Sequence, residues 1–337
     1  MRLPLPLLDS PFFLFTNEEE FAKAMGESIS PEERNEITRL LAIFLPPVLS
    51  RTTLATIFGI NPGLIWSFEN RQKRHYRIFT IPKGKGAVRT ITAPRVALKI
   101  IQKWLSVQIQ KAFTPSAHVY GFVSGRSHVD AAMVHSKAQW VFSVDLLNFF
   151  QTTPEPMVTE ALETIGFGPD GAKLLSRLAC FQGVLAQGSP SSPILSNICF
   201  QVIDAELGKI AEKYGVRLTR YADDIVFSGL AEFPVGLNED VQNLFLSTPW
   251  KLAAQKTQFA KLPNRLKVHG LLVHGDDVRL TKGYRNKLRA YRNLIKYDKV
   301  SGDVLSRMKG HIQYGDFVSH RSNVNKPSPT ASQTDVS

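Results

Sequence analysis

The tetrapeptide Tyr221-Ala222-Asp223-Asp224 places two carboxylates side by side in the chain. Apolar, strand-like runs flank the tetrapeptide on both sides, which predicts a β-hairpin with the two acids at its tip. A third acid, Asp145, stands where another apolar run ends. An ionised carboxylate at the end of a buried strand is costly unless it is paired or binds a metal. We therefore expect Asp145, Asp223 and Asp224 to share one site.

Three neighbouring carboxylates repel one another and match hard divalent cations with oxygen ligands, most naturally Mg²⁺. Two such ions activate an attacking hydroxyl and stabilise the leaving oxygen of an in-line phosphoryl transfer. The residues predict a site for two Mg²⁺ ions, for which Mn²⁺ can substitute. For an isolated Asp-Asp pair the alternative is an ordinary turn, because aspartate stabilises turns by bonding to its own backbone.

The composition indicates a globular protein that binds a polyanion. Among 337 residues, 43% are hydrophobic, and 41 basic against 29 acidic residues give a formal charge of +12. Such a positive balance is expected of a protein that binds nucleic acid. The alternative is a basic surface without such a partner.

The cysteine content and the hydropathy of the chain indicate where in the cell the protein is located. The two cysteines, Cys180 and Cys199, lie in apolar stretches, so neither a disulfide framework nor a zinc site is indicated. No apolar run reaches the length that crosses a bilayer. The first apolar run is broken by prolines and Asp9, unlike a signal peptide. We expect a cytoplasmic protein with no membrane partner.

Helices and strands that could position the acids follow from periodicity and turn signals. The pattern predicts helices over 17–50, a basic hairpin with strands over 76–82 and 88–92, a helix over 95–112, a buried strand over 139–147, a long helix over 194–214 and basic helices over 281–314. Strands and helices interleave without strict alternation. This favours an α+β fold over a doubly wound sheet.

Taken together, these segments resemble the palm motifs of reverse transcriptases, specifically those of the bacterial retron type. The tetrapeptide 221–224 matches the catalytic hairpin of that family, and Asp145 with Phe149-Phe150 resembles the motif that supplies its first metal ligand. The loop 187–193, Gln-Gly-Ser-Pro-Ser-Ser-Pro, resembles the loop that binds template and nucleotide. The order and spacing of the motifs make the resemblance specific.

The resemblance implies a right-hand polymerase fold with fingers, palm and helical thumb. In this chain it assigns an N-terminal helical region to 1–70, fingers to 71–135, a palm to 136–273 with part of the fingers at 155–190, a basic helical thumb to 274–321 and a disordered tail to 322–337. The tail is rich in polar residues and lacks apolar periodicity.

The resemblance also implies nucleotide-binding residues. Arg89 and Lys83, in the basic hairpin, would bind the triphosphate, since arginine engages phosphate through two parallel hydrogen bonds. Phe150 would exclude a ribose 2′-hydroxyl, or is a buried core aromatic instead. Gln187 and Gly188 would support the nascent base pair, because glycine lets a backbone approach closely.

Other residues are implied to act on the nucleic acid or the leaving group. Lys256, which matches a Lys-Thr motif of the family, would protonate pyrophosphate, or is a surface lysine. His269-Gly270 resembles the turn that grips the primer end, with His269 in place of the usual threonine. Further nucleic-acid contacts are assigned to Arg126, Tyr221, Lys282, Arg285, Arg289 and Arg292.

One further departure and one ambiguity accompany these assignments. The family's Asn-Ala-x-x-His pattern appears here as 131–135, with Ala131 in place of the asparagine and His135 retained. Tyrosines interleave with the basic residues of the thumb, namely Tyr284, Tyr291, Tyr297 and Tyr314. They belong either to a nucleic-acid surface or to the core of a small helical bundle.

By this resemblance the chain is an RNA-directed DNA polymerase of a retron. It would copy a cognate structured noncoding RNA with dNTPs into RNA-linked single-stranded DNA, called msDNA, in anti-phage defence and with a possible effector protein.

Three alternatives stay open. One is another bacterial reverse transcriptase, from a defence system or a diversity-generating element; Ser192-Pro193 differs from the Ser-Gln typical of the latter. A group II intron enzyme is the second, and the chain after Asp224 leaves little room for its additional domains. The third is a noncatalytic RNA-binding scaffold, disfavoured because idle clustered acids only destabilise a fold.

Overall fold

The computed structural model describes residues 4–26, 29–84 and 86–324. Its helices, in chain order, are α1 (Leu5–Asp9), α2 (Glu18–Met25), α3 (Pro31–Ala42), α4 (Arg51–Phe58), α5 (Pro62–Asn70), α6 (Gln72–His75), α7 (Val96–Ala112), α8 (His128–Val134), α9 (Glu155–Thr164), α10 (Pro169–Ala179), α11 (Ser192–Cys199), α12 (Gln201–Tyr214), α13 (Leu237–Leu244), α14 (Lys282–Lys296) and α15 (Gly302–Val324). A short 3₁₀ helix covers Ala254–Lys256.

The strands are β1 (Tyr76–Gly84), β2 (Ala87–Pro94), β3 (Trp140–Asp145), β4 (Cys180–Phe181), β5 (Val184–Leu185), β6 (Arg217–Tyr221), β7 (Asp224–Gly229), β8 (Gln258–Lys261), β9 (Lys267–Val268), β10 (Leu271–Leu272) and β11 (Arg279–Leu280). They form antiparallel sheets of order β1-β2, β4-β5, β6-β7-β3-β8 and β11-β10-β9. This mixture of helices and antiparallel sheets confirms the predicted α+β class and agrees with a right-hand polymerase fold.

The chain divides into two compact units. The first comprises 1–117, 146–206 and 242–252, and the second comprises 118–145, 207–241 and 253–337. Residues 136–273, the predicted palm, therefore contribute to both units.

The first unit is built on helices packed around an apolar core. Helix α7 supplies one of its buried faces, with Ile101, Trp104 and Leu105 at helical spacing. Strands β1 and β2 pair from Tyr76 opposite Pro94 to a bulge between Pro82 and Gly84. The basic hairpin predicted from the sequence is thus present.

The second unit is built on the four-stranded sheet. Strand β3 lies between β7 and β8, and its apolar side chains are buried. Helix α8 begins with a capping box, in which Ser127 Oγ accepts from Asp130 N (3.2 Å) and Asp130 Oδ2 accepts from Ser127 N (2.9 Å). Val129 of α8 joins a core cluster with Val141 and Val318.

Two predicted helical segments differ from the structure. The long helix expected over 194–214 is broken at Phe200, whose buried ring packs edge-on against Phe149 (5.6 Å) and Trp250 (4.7 Å) in the first unit. The basic segment forms two helices, and α15 continues to Val324, into the tail predicted to be disordered. Residues 325–337 of that tail lie outside the described residues.

Within the described part of the chain, no helix combines the length and apolarity needed to span a bilayer.

Candidate active site

The acidic tetrapeptide forms the predicted hairpin tip between β6 and β7. Tyr221 pairs with Asp224, so Ala222 and Asp223 make a two-residue turn. Ala222 has a φ of 58°, a conformation that costs a non-glycine residue about 1–3 kcal/mol. Two-residue hairpin turns need positive φ to match the twist of their strands. The turn is therefore strained and must be held by its surroundings.

A buried arginine and a glycine hold this turn. Arg220 is fully buried, and its Nη1 donates to the carbonyl of Ala222 (3.0 Å). Its backbone bonds to His118 O (2.8 Å) and accepts from Tyr120 N (2.8 Å). A Cβ on Gly121 would lie 2.2 Å from Ala222 N. The loop before α8 therefore clamps the turn.

The segment 120–127, which contains Gly121, resembles a basic, glycine-containing template contact of the family. Neither the sequence nor that resemblance predicts that Gly121 and Arg220 hold the turn. An arginine beside an acidic pair is usually solvated, and burial of its guanidinium is decided by a strand that is distant in the chain. The signal that could have found both is their position in the sequence, since Gly121 lies within the segment 120–127 and Arg220 directly precedes Tyr221.

Substituting Ala222 by glycine is expected to relieve the strain. We predict a gain of about 0.5 kcal/mol in the free energy of unfolding, because glycine populates positive φ freely but loses more chain entropy. Urea unfolding of wild type and Ala222→Gly measures this difference in the free energy of unfolding.

The exposed helical Ala290 provides a control of opposite sign. Ala290→Gly should cost about 1 kcal/mol. Equal losses in both variants would contradict a strained turn.

The sheet register brings the three acids together. Asp145 ends β3 directly opposite Asp224 of β7. Asp223 directly precedes Asp224 and lies in the turn. Burial raises the pKa of Asp223, and the negative charge of Asp145 raises it further. A raised pKa of this origin shows that Asp223 is held close to like charge in a partly desolvated position.

Two basic side chains contact the acids. The backbone N of Ala253 donates to Asp145 O (2.8 Å) and leads into the 3₁₀ helix that ends at Lys256. Lys256 Nζ forms a close ion pair with Asp145 Oδ1. On the other side, Nδ1 of His269 lies 3.1 Å from Oδ2 of Asp224.

The three carboxylates have the right chemistry to bind a hard cation, but their side chains are not grouped as a metal site requires. Three carboxylates supply the oxygens that Mg²⁺ or Mn²⁺ prefers. Among the described residues, however, no three His, Cys, Asp or Glu side chains are grouped as a metal site requires. Lys256 and His269 occupy oxygens of Asp145 and Asp224. A divalent ion would compete with the contacts that these two side chains make.

The turn that carries His269 is a second strained hairpin. Val268 pairs with Leu271, so His269 (φ 49°) and Gly270 (φ 82°) form a two-residue turn. Space around Gly270 is open, so its requirement is conformational. The ring of His269 lies 5.3 Å from that of Tyr221, and its side chain is only 8% exposed.

His135 ties the two strands of the catalytic hairpin to α8. Its Nδ1 is 2.7 Å from Ser228 Oγ on β7, and its Nε2 is 2.8 Å from Thr219 Oγ1 on β6. Burial lowers the pKa of His135 to about 3, with smaller contributions from the charges of His269 and Arg217. The imidazole is therefore neutral, with one nitrogen donating and the other accepting.

This buried histidine predicts acid sensitivity. Because its pKa is about 3 when folded and about 6.5 when unfolded, the unfolded chain binds more protons between these values. Its stabilising contribution is complete above the unfolded pKa and is lost as pH falls, by up to about 1.4 kcal/mol per pH unit.

Urea unfolding of wild type and His135→Gln at about pH 7 and about pH 5 measures this term, since other titrating groups cancel in the difference. The variant should be less stable at neutral pH and lose less on acidification. Parallel pH dependences would contradict the assignment.

Comparison with known proteins identifies the family. The family model described as reverse transcriptase (RNA-dependent DNA polymerase) matches residues 81–289, more than half of the chain. The chain belongs to the reverse transcriptase family.

Its relatives include retron enzymes. Retron Mx162 reverse transcriptase of Myxococcus xanthus is 30% identical over 301 residues, covering 77% of this chain and 62% of the relative. Retron Mx65 reverse transcriptase of the same organism is 30% identical over 55% of this chain and 48% of the relative. Retron Ec86 reverse transcriptase of Escherichia coli is 28% identical over 73% of this chain and 78% of the relative. The resemblance to retron-type reverse transcriptases is confirmed, while the chain spans less than two thirds of the two Myxococcus relatives.

The predicted nucleotide-binding residues lie in the first unit. Lys83 on β1 and Arg89 on β2 are exposed on the same hairpin, with Arg89 paired opposite Ile81. Phe150 is half-buried against the core of the unit, and its ring centroid is 5.6 Å from that of Phe149. Phe149 is the more buried of the two, so the core interpretation suits it better than Phe150.

The loop that contains Gln187 and Gly188 is bound to β2. Gln187 O accepts from Thr92 N (2.8 Å), and the side chain of Gln187 accepts from Gln151. Gly188 has a φ of 130°, and a Cβ there would lie 2.9 Å from Ile91 Cγ2. Packing against β2 is thus a reason for the glycine that the sequence does not reveal, and contact with a base pair stays a prediction.

The predicted nucleic-acid contacts lie in the second unit. Arg126 donates to Val119 O (2.5 Å) and lies over the Tyr120 ring (5.8 Å), so it also stabilises the loop around Gly121. The basic candidates on α14 are exposed, namely Lys282, Arg285, Arg289 and Arg292. Arg292 pairs with Asp316 (2.6 Å).

Three of those arginines line a polar cavity. Arg285, Arg289 and Arg292 border a space of about 390 Å³, together with Arg279, Ser319 and Ser322. Guanidinium groups around a polar cavity suit phosphate oxygens. The α14 surface is thus chemically suited to the predicted role.

Each unit therefore holds a separate set of candidates. The second unit gathers Asp145, Asp223, Asp224, Lys256, Tyr221, His269 and Gly270, and the first carries Lys83, Arg89, Phe150, Gln187 and Gly188.

Proposed function

We propose that this reverse transcriptase is the RNA-directed DNA polymerase of a retron. Family membership supports templated DNA synthesis, and the retron relatives favour that branch. The observation that carries the proposal is the register of Asp145 opposite Asp224 with Asp223 in the adjoining turn. A cluster of acids at one end of a sheet suits metal-assisted phosphoryl transfer.

Asp145, Asp223 and Asp224 would hold two Mg²⁺ ions, with Mn²⁺ as a substitute. When bound, such ions activate the primer hydroxyl and stabilise the leaving oxygen. Lys256 pairs with Asp145 and would donate a proton to pyrophosphate. His269 would shield Asp224 when no metal is bound.

The first unit would bind the nucleotide. Lys83 and Arg89 contact the triphosphate from one hairpin, and Phe150 excludes the ribose 2′-hydroxyl. Gln187 and Gly188 support the nascent pair beside β2. The exposed cations of α14 would contact backbone phosphates, which makes binding sensitive to salt.

The substrates and partners follow from the retron proposal. The chain would copy a cognate structured noncoding RNA with dNTPs, leaving RNA-linked single-stranded DNA (msDNA), and would act with an effector protein in anti-phage defence. Both cysteines are free, as expected of a protein working in a reducing cytoplasm.

Sequencing the nucleic acid that copurifies with the protein tests the retron proposal. A DNA strand covalently joined to a structured RNA is the expected result. DNA synthesis without such a hybrid would favour another bacterial reverse transcriptase. Tight RNA binding without any DNA synthesis in Mg²⁺ or Mn²⁺ would favour a noncatalytic scaffold.

A further inference from the structure

Four rings in the second unit form a continuous series that we call the aromatic ladder: Tyr284, Tyr314, His128 and Tyr221. Tyr284 meets Tyr314 edge-on (5.8 Å), Tyr314 stacks on His128 (5.6 Å, 17°), and His128 meets Tyr221 edge-on (6.2 Å). The series begins on α14 and ends in the acidic hairpin. Offset and edge-on contacts of this kind are the favoured arrangements of aromatic pairs.

Hydrogen bonds fix the orientation of these rings. Nε2 of His128 and the hydroxyl of Tyr314 are 2.9 Å apart, and the hydroxyl of Tyr284 is 2.7 Å from Nδ1 of His311. Burial raises the pKa of Tyr314 and lowers the pKa of His128. The tautomer of His128 decides which of the two groups donates in this hydrogen bond.

A second, polar connection runs beside the rings. Arg321 of α15 donates to Asp130 Oδ1 (2.7 Å), and the other oxygen of Asp130 accepts from Ser127 N (2.9 Å) at the start of α8. Beyond the far end of α8, His135 bonds to both strands of the hairpin. Helix α15, helix α8 and the hairpin are thus linked at successive points.

The last ring of the ladder is next to the acids. Tyr221 pairs with Asp224, and its ring also contacts that of His269, which bonds to the same carboxylate. A shift of α14 and α15 would therefore be transmitted to Tyr221 through packed rings. Packed elements tend to move between discrete arrangements instead of deforming continuously.

We propose that His128 and Tyr314 are positioning residues, which couple the placement of α14 and α15 to the Tyr221–Asp224 hairpin. The coupling lets contact of nucleic acid with the cations of α14 set the geometry of the acids. This inference rests on the proposed polymerase function. It also assigns a role to two thumb tyrosines, which the sequence alone does not assign to a nucleic-acid surface or to a helical core. A core role alone would affect stability only.

The test combines kinetics with a spectroscopic probe at Tyr221. Fluorotyrosine is introduced at position 221 in the full chain, and its ¹⁹F resonance is recorded with and without a primer on an RNA template. Tyr314→Phe removes the hydroxyl and keeps the ring. The matched control is Tyr297→Phe, at a 63% exposed tyrosine that contacts only Lys296 and Lys299 among its described ring partners.

In the unsubstituted ladder, primer–template is expected to shift the ¹⁹F resonance. Tyr314→Phe should alter the resonance of the free protein and lower kcat about threefold to tenfold, a typical size for coupling through packed networks. Its Kd for primer–template should change less than about twofold. Tyr297→Phe should match wild type in all three measurements.

A second pair of variants covers failure of Tyr314→Phe to fold. His128→Leu removes the hydrogen-bond partner of the Tyr314 hydroxyl, and His128→Gln retains one, so the glutamine variant should recover part of kcat and of the resonance position.

The inference is overturned if the ladder variants lower thermal stability while leaving kcat and the ¹⁹F resonance unchanged, or if Tyr297→Phe has the same effects. The resonance of free and RNA-bound protein does not depend on catalysis. A chain that makes no DNA but shows the ladder response would thus count against the proposed function and not against the coupling.

Discussion

Gly121→Ala is expected to reduce RNA-templated DNA synthesis about 100-fold or more, the size of effect that a misplacement of about 1 Å has on a reacting centre. The added Cβ would lie 2.2 Å from Ala222 N and 2.9 Å from Tyr221 C, and both are backbone atoms that no rotamer change can move. The hairpin tip would shift, carrying Asp223 and Asp224 with it. Single-turnover incorporation of one dNTP measures the effect.

Gly310→Ala is the matched control, since a Cβ there meets nothing within 4 Å and the glycine lies within α15. It should retain the wild-type rate and gain up to about 1 kcal/mol in the free energy of unfolding. A wild-type rate in Gly121→Ala would show that the tip tolerates displacement and would contradict the clamp.

Asp223→Asn is expected to abolish DNA synthesis while stabilising the metal-free protein. Burial and the charge of Asp145 both raise the pKa of Asp223, so its ionised form is destabilised in the fold. The amide keeps the shape and removes the charge. We expect a rate at least about 1000-fold lower, because a metal ligand is lost, and a melting temperature higher by about 2 °C in chelator.

Asp276→Asn serves as the control for loss of a carboxylate charge. Asp276 is 80% exposed and pairs with Lys137 (3.0 Å), so neither activity nor stability should change by more than a small amount. A destabilised Asp223→Asn protein in chelator would show that the acid supports the fold instead of straining it.

Local features of the site were predictable because they depend on neighbouring residues. Apolar, strand-like runs on both sides of Tyr221–Asp224 predict the hairpin, and Asp145 is predicted from a carboxylate at the end of an apolar run. The structure places Asp145 opposite Asp224, as a shared site requires. The hairpin of Lys83 and Arg89 follows equally from its glycine turn and flanking strands.

Features that depend on distant segments were not predictable in this way. The burial of Arg220 is fixed by the loop 118–121, and the need for Gly121 arises from the backbone of Ala222. His135 is visible as a motif residue, but its two hydroxyl partners lie on separate strands. The break at Phe200 likewise reflects packing against Trp250 that helical periodicity does not encode.

The contacts of Lys256 and His269 with the acids depend on distant segments in the same way. Lys256 follows Asp145 by a long stretch of chain, and only the pairing around β3 and the adjoining 3₁₀ helix brings them together. His269 reaches Asp224 because the turn after β9 adopts positive φ at two residues. The sequence shows which residue types are present, whereas the fold determines that Lys256 meets Asp145 and that His269 meets Asp224.

Extension of a DNA primer on an RNA template, with dNTPs and Mg²⁺, tests the central claim most directly when wild type is compared with Asp223→Asn. The proposed polymerase function predicts full-length DNA from wild type, none from the variant, and equal RNA binding by both. DNA synthesis by Asp223→Asn at the wild-type rate, or none by wild type in either Mg²⁺ or Mn²⁺ while it binds RNA, would contradict it.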